Sequence, residues 1–254
     1  MEFGRRRFLG TAAGAAVAGT AAACGGGPSQ QAPRPVTDPL VVTPEHSAHG
    51  LHLSGEVVHG PRRRRQVALT FHGAGDPAVA RRLLSAAAAA AAGARITVLA
   101  VGSWLDAQPE VARMILDGGH ELGNHTQNHA DISAMNPRAV HAEIAQCAER
   151  LRKLTGSIGH WFRPSQTPHA NAIIRSQAAK VGYHSCLSYD VDSLDFQDPG
   201  PDAVVHNVLR GVRGGSIVSM HFGHPGTVTA MPTLLDGLRK RGLRAVTVST
   251  LLGP

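Results

Sequence analysis

The sequence predicts an α/β domain, a distorted or incomplete (β/α) barrel with mostly parallel strands. Three observations predict it. From Gln66 onward, short apolar runs alternate with helical patterns, the signature of βα units. About 190 residues are available for them, fewer than a complete eightfold barrel takes. The unusual residues, above all members of a set of 15 histidines, fall just after apolar strands, where such folds carry their sites. Hydrophobic residues at 43% and charged residues at 17% suit a packed core and exclude a chain disordered throughout. Three cysteines are too few for a disulfide scaffold.

The elements follow in order. Leu51 to Val58 reads as a strand that turns at Gly60-Pro61. Val67-Ala68-Leu69-Thr70-Phe71 is a short buried strand, followed by a helix from Pro77 to Ala92. Arg95 to Val101 is the next strand and Gln108 to Asp117 the next helix. Asn136-Pro137 starts a helix with a capping Asn and Pro at the first helical position. Its apolar face runs through Val140, Ile144, Cys147, Leu151 and Leu154, and Gly156 ends it. Cys147 and Cys186 are expected to be buried thiols rather than a bridge. Further strands are expected near Trp161–Arg163, His184–Tyr189, Ser216–Met220 and Arg244–Val248.

Residues 1–24 read as an export signal. Arg5-Arg6-Arg7-Phe8-Leu9 is similar to a twin-arginine start, and the Ala/Gly run that follows is too short and too weakly apolar to span a bilayer. Ala21-Ala22-Ala23-Cys24 is similar to a lipobox, which would lipidate Cys24 and anchor the chain to a membrane; simple cleavage there is the alternative. Residues 25–50, rich in Gly, Pro, Ser and Gln, read as a flexible linker, leaving residues 51–254 as the folded domain. The formal net charge is +7, yet the high-Arg, low-Lys balance is not read as nucleic-acid binding; an anionic envelope suits it better. The basic run Arg62–Arg65 is either a solvated turn or a contact for phosphate-bearing envelope polymers.

Gly73-Ala74-Gly75-Asp76-Pro77-Ala78 matches a dinucleotide-binding loop, but the acidic residue that reading needs after the next strand is missing: Arg95–Val101 runs into Gly102. A better signal is His125 with His129. Two His four apart on a helical turn converge on one metal ion, and the Glu of a zinc-protease helix is absent, since Thr126 follows His125.

With these residues in view, the domain resembles the polysaccharide deacetylases of the NodB-homology type, carbohydrate esterase family four. His125-Thr126 and His129 match the family's metal motif, Phe162-Arg163-Pro164 its Arg-Pro motif, Asp192-Ser193-Leu194-Asp195-Phe196 its Asp-x-x-Asp-Trp motif with Phe for Trp, and Ser219-Met220-His221 its late His motif. The resemblance implies a distorted (β/α) barrel, a divalent metal, usually zinc, and hydrolysis of N-acetyl groups on an N-acetylhexosamine polymer such as peptidoglycan or chitin-like chains. It implies His221 as general acid oriented by Asp195, Arg163 as the residue that positions the base, and Asp192, Phe196 and Pro164 as substrate-binding residues.

The first motif departs from the pattern. Where the family reads Thr-Phe-Asp-Asp-Gly, this chain has Thr70-Phe71-His72-Gly73-Ala74, so both acidic positions are lost. Asp76 is the expected third metal ligand beside His125 and His129, with a helix N-cap before Pro77 as the competing role. His72 is expected to act as base, kept neutral by Arg163; metal binding or plain packing are its alternatives. His224 is expected in a supporting or surface role. Two other function classes stay open at this point: a catalytically silent relative that binds sugar or metal, and an amidase for a small non-sugar amide.

Overall fold

The computed structural model describes residues 55–90 and 93–253. The export signal with Cys24, the linker and the first part of the expected strand at Leu51 lie outside the described residues. Among the described residues eight strands and eight α-helices follow: β1 (Gly55–Val57), β2 (Gln66–Gly73), α1 (Pro77–Ala88), β3 (Thr97–Ala100), α2 (Gly102–Ala107), α3 (Pro109–Asp117), β4 (Glu121–Asn124), α4 (Pro137–Thr155), α5 (Ala172–Val181), β5 (Ser185–Leu187), β6 (Val191–Asp192), α6 (Pro201–Gly211), β7 (Ile217–His221), α7 (Pro225–Lys240), β8 (Arg244–Val246) and α8 (Val248–Leu252).

Every strand pair is parallel, as expected of βα units. The main sheet runs β4-β3-β2-β7-β6. β8 also pairs with β2: Ala68 faces Ile217 of β7 on one edge and Val246 of β8 on the other. Farther along, Thr70 to His72 pair with β7 and β3 at once. β8 and β3 therefore share one edge of β2, β8 beside its first half and β3 beside its second. From β4 the pairing continues through Phe162, bridged to Asn124 and to Cys186, into β5 and β1. No strand ladder joins β5 to β6 among the described residues, so hydrogen bonds do not close the barrel there.

β2 is the centre. Val67, Ala68, Leu69, Thr70 and Phe71 are all fully buried, which is why its sequence is a continuous apolar run rather than an alternating one. The helices carry the caps their sequences announce. Asn136 Oδ1 accepts the Ala139 N–H at 3.0 Å, Asn171 Oδ1 accepts that of Ile174 at 2.9 Å, and Gly156 closes α4 at φ 80°. Val140, Ile144, Cys147 and Leu151 are buried on α4, with Leu154 partly so. Cys147 and Cys186 are buried free thiols, each pushed up to about 12 by burial.

Some details differ from the sequence reading. Gly102–Ala107 forms a helix, α2, in a stretch assigned no element from the sequence, and Pro109 starts the next helix. The expected strand Trp161–Arg163 is reduced to isolated bridges at Phe162. His125–His129 is a loop leaving β4, not a helical turn.

Candidate active site

The strands' C-terminal ends place the expected residues. His72 and His221 are register partners near the ends of β2 and β7, and their rings stand 4.4 Å apart at 82°. The loop after β2 is pressed against the loop after β7. Gly75, at φ 106°, packs on Gly223 so closely that a Cβ on it would lie 2.7 Å from the Gly223 Cα. That contact, rather than a phosphate, explains the glycine-rich loop.

The loop after β4 is built by Asn124. Its Oδ1 accepts the Thr126 N–H at 2.8 Å, an Asx-turn, while its Nδ2 donates to the Ile144 carbonyl at 2.9 Å and to the Tyr183 hydroxyl at 3.1 Å. The turn puts Thr126 at φ 68°, a costly conformation for a β-branched residue. Buried bonds hold it: the Thr126 hydroxyl donates to Ser165 Oγ at 3.0 Å, and Gly102 N–H donates to the Thr126 carbonyl at 2.9 Å. In consequence His125 is fully buried and its ring lies 5.0 Å from that of His129 and 4.3 Å from that of His72.

Each imidazole in this cluster has a definite state. Burial, then the neighbouring His129, drives His125 well below the ordinary histidine range, so it is neutral. Its Nδ1 lies 2.9 Å from the Arg163 carbonyl and carries the proton, since a carbonyl only accepts. Its Nε2 lone pair is buried with no hydrogen-bond partner. A fixed tautomer with a bare Nε2 is the state in which a histidine binds a metal. His129 is also lowered, by burial and by His221. The pair fits a divalent metal as two ligands.

The expected third ligand, Asp76, makes a helix cap in this structure. Asp76 is exposed and its Oδ1 accepts the Ala78 N–H at 2.7 Å, capping α1 ahead of Pro77. No group of three His, Cys, Asp or Glu side chains placed to hold a metal exists among the described residues. The short Asp-Pro helix start draws Asp76 into the cap, the competing role named from the sequence.

Arg163 is buried, 1% exposed, and forms no ion pair within contact distance among the described residues, with the Asp192 charge acting on it from farther away. Its Nη2 donates to the Ser188 carbonyl at 2.9 Å, its Nη1 lies 3.2 Å from His72 Nε2, and Tyr189 stacks beneath it at 5.4 Å. Burial lowers the guanidinium to about 10, so it stays charged. An arginine only donates, so His72 Nε2 accepts and the neutral ring carries its proton on Nδ1. Burial, His125 and Arg163 together drive His72 well below the ordinary range. It is neutral, as expected, but its one lone pair is already engaged.

His221 has the opposite arrangement. Its Nδ1 lies 2.7 Å from Asp195 Oδ1, its backbone N–H donates to Asp195 Oδ2 at 2.9 Å, and the Thr227 hydroxyl donates to the same oxygen at 2.7 Å. Burial pushes the Asp195 carboxyl up, but the bonds from His221 and Thr227 outweigh it and hold the group below its usual range. Asp195 is thus ionised and committed to His221; no ion pair with Arg163 forms. Phe196 is 46% exposed with its ring 5.5 Å from His221. Asp192 Oδ1 accepts the Leu194 N–H at 2.9 Å, shaping that loop, and Pro164 is buried behind Arg163. His224 pairs with Asp198 at 2.8 Å, and its ring stands 5.9 Å from His221.

Sequence reasoning missed Asn124, Thr227, Ser188 and Tyr189. Only Asn124 carried a local signal, an Asn two residues before Thr126 at a strand end.

The polysaccharide deacetylase family model matches residues 59–186. A peptidoglycan-N-acetylglucosamine deacetylase of Bacillus cereus is 30% identical over 76% of this chain and 90% of its own length. A chitooligosaccharide deacetylase of a Bradyrhizobium species is 30% identical over 58% of this chain and 73% of its own. Among solved structures, a family 4 carbohydrate esterase from Streptomyces lividans in complex with acetate superimposes with a TM-score of 0.65 at 28% identity, over 71% of this chain and 91% of that one. A CE4 family pseudoenzyme from Bacillus anthracis shares the fold at a TM-score of 0.72 and 22% identity, over 77% of this chain and 68% of that one. With its family model spanning half the chain and the motif residues gathered at one end of the barrel, the chain belongs to the polysaccharide deacetylase family, hydrolases of amide bonds.

Proposed function

We propose that the chain removes N-acetyl groups from an N-acetylhexosamine polymer of the cell envelope, peptidoglycan or a chitin-like glycan, with His221 as its proton carrier and a divalent metal on His125 and His129. The observation that carries this reading is the His221–Asp195 pair at 2.7 Å beside the bare Nε2 of His125. The names of the peptidoglycan and chitooligosaccharide relatives support the substrate class.

Amide hydrolysis needs a polarised carbonyl, an activated water and a protonated leaving amine. A bound divalent metal, zinc being suited to imidazole donors, polarises the carbonyl and lowers the pKa of water. The remaining work falls to the protein. Asp195 accepts from His221 Nδ1, so neutral His221 presents the Nε2 lone pair to the site. His221 takes a proton from the attacking water at Nε2. The hydroxide oxygen bonds to the acetyl carbon, the C–N bond breaks, and the same proton passes to the leaving nitrogen, giving a free amine and acetic acid, which loses its proton to solvent as acetate. Asp195 stabilises the imidazolium that exists between the two transfers. Arg163, a buried cation, favours the negative charge that builds on the acetyl oxygen. His72 transmits that field as a neutral hydrogen-bonded ring, a role that replaces the base assignment its position suggests. Phe196 offers an exposed face for a sugar ring, with Asp192 near Tyr189 behind it.

The reading extends to location. The twin-arginine start and Cys24 support export with a lipid anchor; Cys24→Ala should then move the protein from membranes to the soluble fraction, and unchanged retention speaks against the anchor. Acetate release from N-acetylglucosamine oligomers by protein of measured metal content tests the activity itself.

A further inference from the structure

The end of the barrel opposite the candidate site is basic. Arg62–Arg65 precede β2, Arg213 precedes β7 and Arg241 and Arg244 flank the start of β8. Backbone contacts gather these loops: Arg244 N–H donates to the Arg65 carbonyl at 3.1 Å, Arg65 Nε donates to the Gly242 carbonyl at 3.2 Å, and Gly214 lies against the carbonyls of Arg62 and Arg64 with no room for a Cβ. Four of the arginines bond within the fold. Arg62 pairs with Asp190 at 2.8 Å, Arg64 donates to the carbonyls of Thr250 and Gly253, Arg65 to that of Gly242 and Arg241 to that of Leu209. Arg63, Arg65, Arg213, Arg241 and Arg244 stay exposed, and the last turn of α7 adds Arg239 and Lys240 beside Asp236.

An apolar feature opens among these charges. A groove of about 410 Å³ between α1 and α7 is lined by Ala86, Ala90, Pro232, Leu235 and Leu243, with Arg239 and Arg244 at its edge. Arg244 also lines the cleft formed with Arg64 and Arg65, so the basic and apolar features are contiguous. We propose that this face docks on an anionic phospholipid bilayer, its arginines on headgroup phosphates and the groove against the acyl region. A soluble phosphate polymer would satisfy the arginines and leave the groove unused; a lipid surface uses both. From Gln66 to His72, β2 rises about 20 Å. The face and the site lie at opposite ends of that strand, so docking leaves the strands' C-terminal ends open to substrate.

The test is flotation of the full chain carrying Cys24→Ala, so that no acyl anchor contributes, with phosphatidylglycerol–phosphatidylcholine vesicles and with pure phosphatidylcholine vesicles. Binding is expected to the anionic vesicles alone and to fall with salt. Arg63→Glu/Arg213→Glu/Arg244→Glu, three exposed arginines whose side chains make no hydrogen bond among the described residues, should weaken it about a hundredfold with the thermal midpoint unchanged. Ala90→Glu, which puts a charge in the groove, should weaken it with all arginines intact. Absent vesicle binding overturns the proposal, as does binding that the triple variant keeps. Polyphosphate bound as tightly per phosphate as the vesicles, with Ala90→Glu without effect, overturns it in favour of a phosphate polymer.

Discussion

Arg163 Nη1 lies 3.2 Å from Nε2 of His72, and this one contact sets what His72 does. A carboxylate at that position offers several lone pairs, so it accepts from an arginine and still takes a proton from water. A neutral imidazole offers one. His72→Ala should therefore lower kcat and leave measurable acetate release, whereas His221→Ala should abolish it, compared at equal metal content. Loss of all activity in His72→Ala with metal intact would make His72 the base after all.

The buried Asp195 carboxylate is the second test. Asp195→Asn removes the acceptor that fixes the His221 tautomer and should cost about 10³- to 10⁴-fold in kcat with the fold intact. Thr227→Val removes one of three donors to the same carboxylate and should cost about 1–2 kcal/mol of stability in urea titrations, because a charged, buried acceptor is left short of a partner.

Asp76→Ala separates the helix cap from the metal. The expected result is a loss of about 1 kcal/mol in stability with metal content equal to the parent's, measured by denaturant titration and elemental analysis. Metal lost from the variant would return Asp76 to the ligand set.

His120, far from the site at the start of β4, predicts acid sensitivity. It is 6% exposed and accepts the Ile96 N–H at 3.3 Å, and burial, then Arg95, lowers it from 6.5 to about 4. Between these values the unfolded chain binds the proton and the folded chain does not. The stability from this group is complete above about pH 6.5 and is lost as pH falls toward 4, by up to about 3 kcal/mol. His120→Asn, which keeps an acceptor for Ile96, should flatten part of the fall in unfolding free energy between pH 7 and 5; an unchanged slope would contradict it.

The fold was readable where local chemistry decides it. Apolar runs at β2, β3 and β7, Asn136-Pro137 and Gly156 each act through their own neighbours, so their sequence is enough. The site was readable in its members and less so in its wiring. His72, His125, His129, Arg163, Asp195 and His221 do gather, but the partners that set their states are distant in sequence: the Ser188 carbonyl for Arg163 and Thr227 for Asp195. Asp76 shows the limit most clearly. Its distance along the chain suits a ligand, yet the next residue, Pro77, makes it a cap. The two His four apart suggest a helical turn, and the Asx-turn at Asn124 builds a loop that brings the rings together by another path.

The central claim is that His221, paired with Asp195, carries the proton in amide hydrolysis on an acetylated glycan. The most direct measurement is acetate released from N-acetylglucosamine oligomers by the zinc-loaded protein and by His221→Ala with the same zinc content. The account predicts steady release by the parent and none by the variant. Zinc bound at stoichiometric level with no acetate from the parent on any acetylated glycan would contradict it and leave a sugar-binding relative without catalysis.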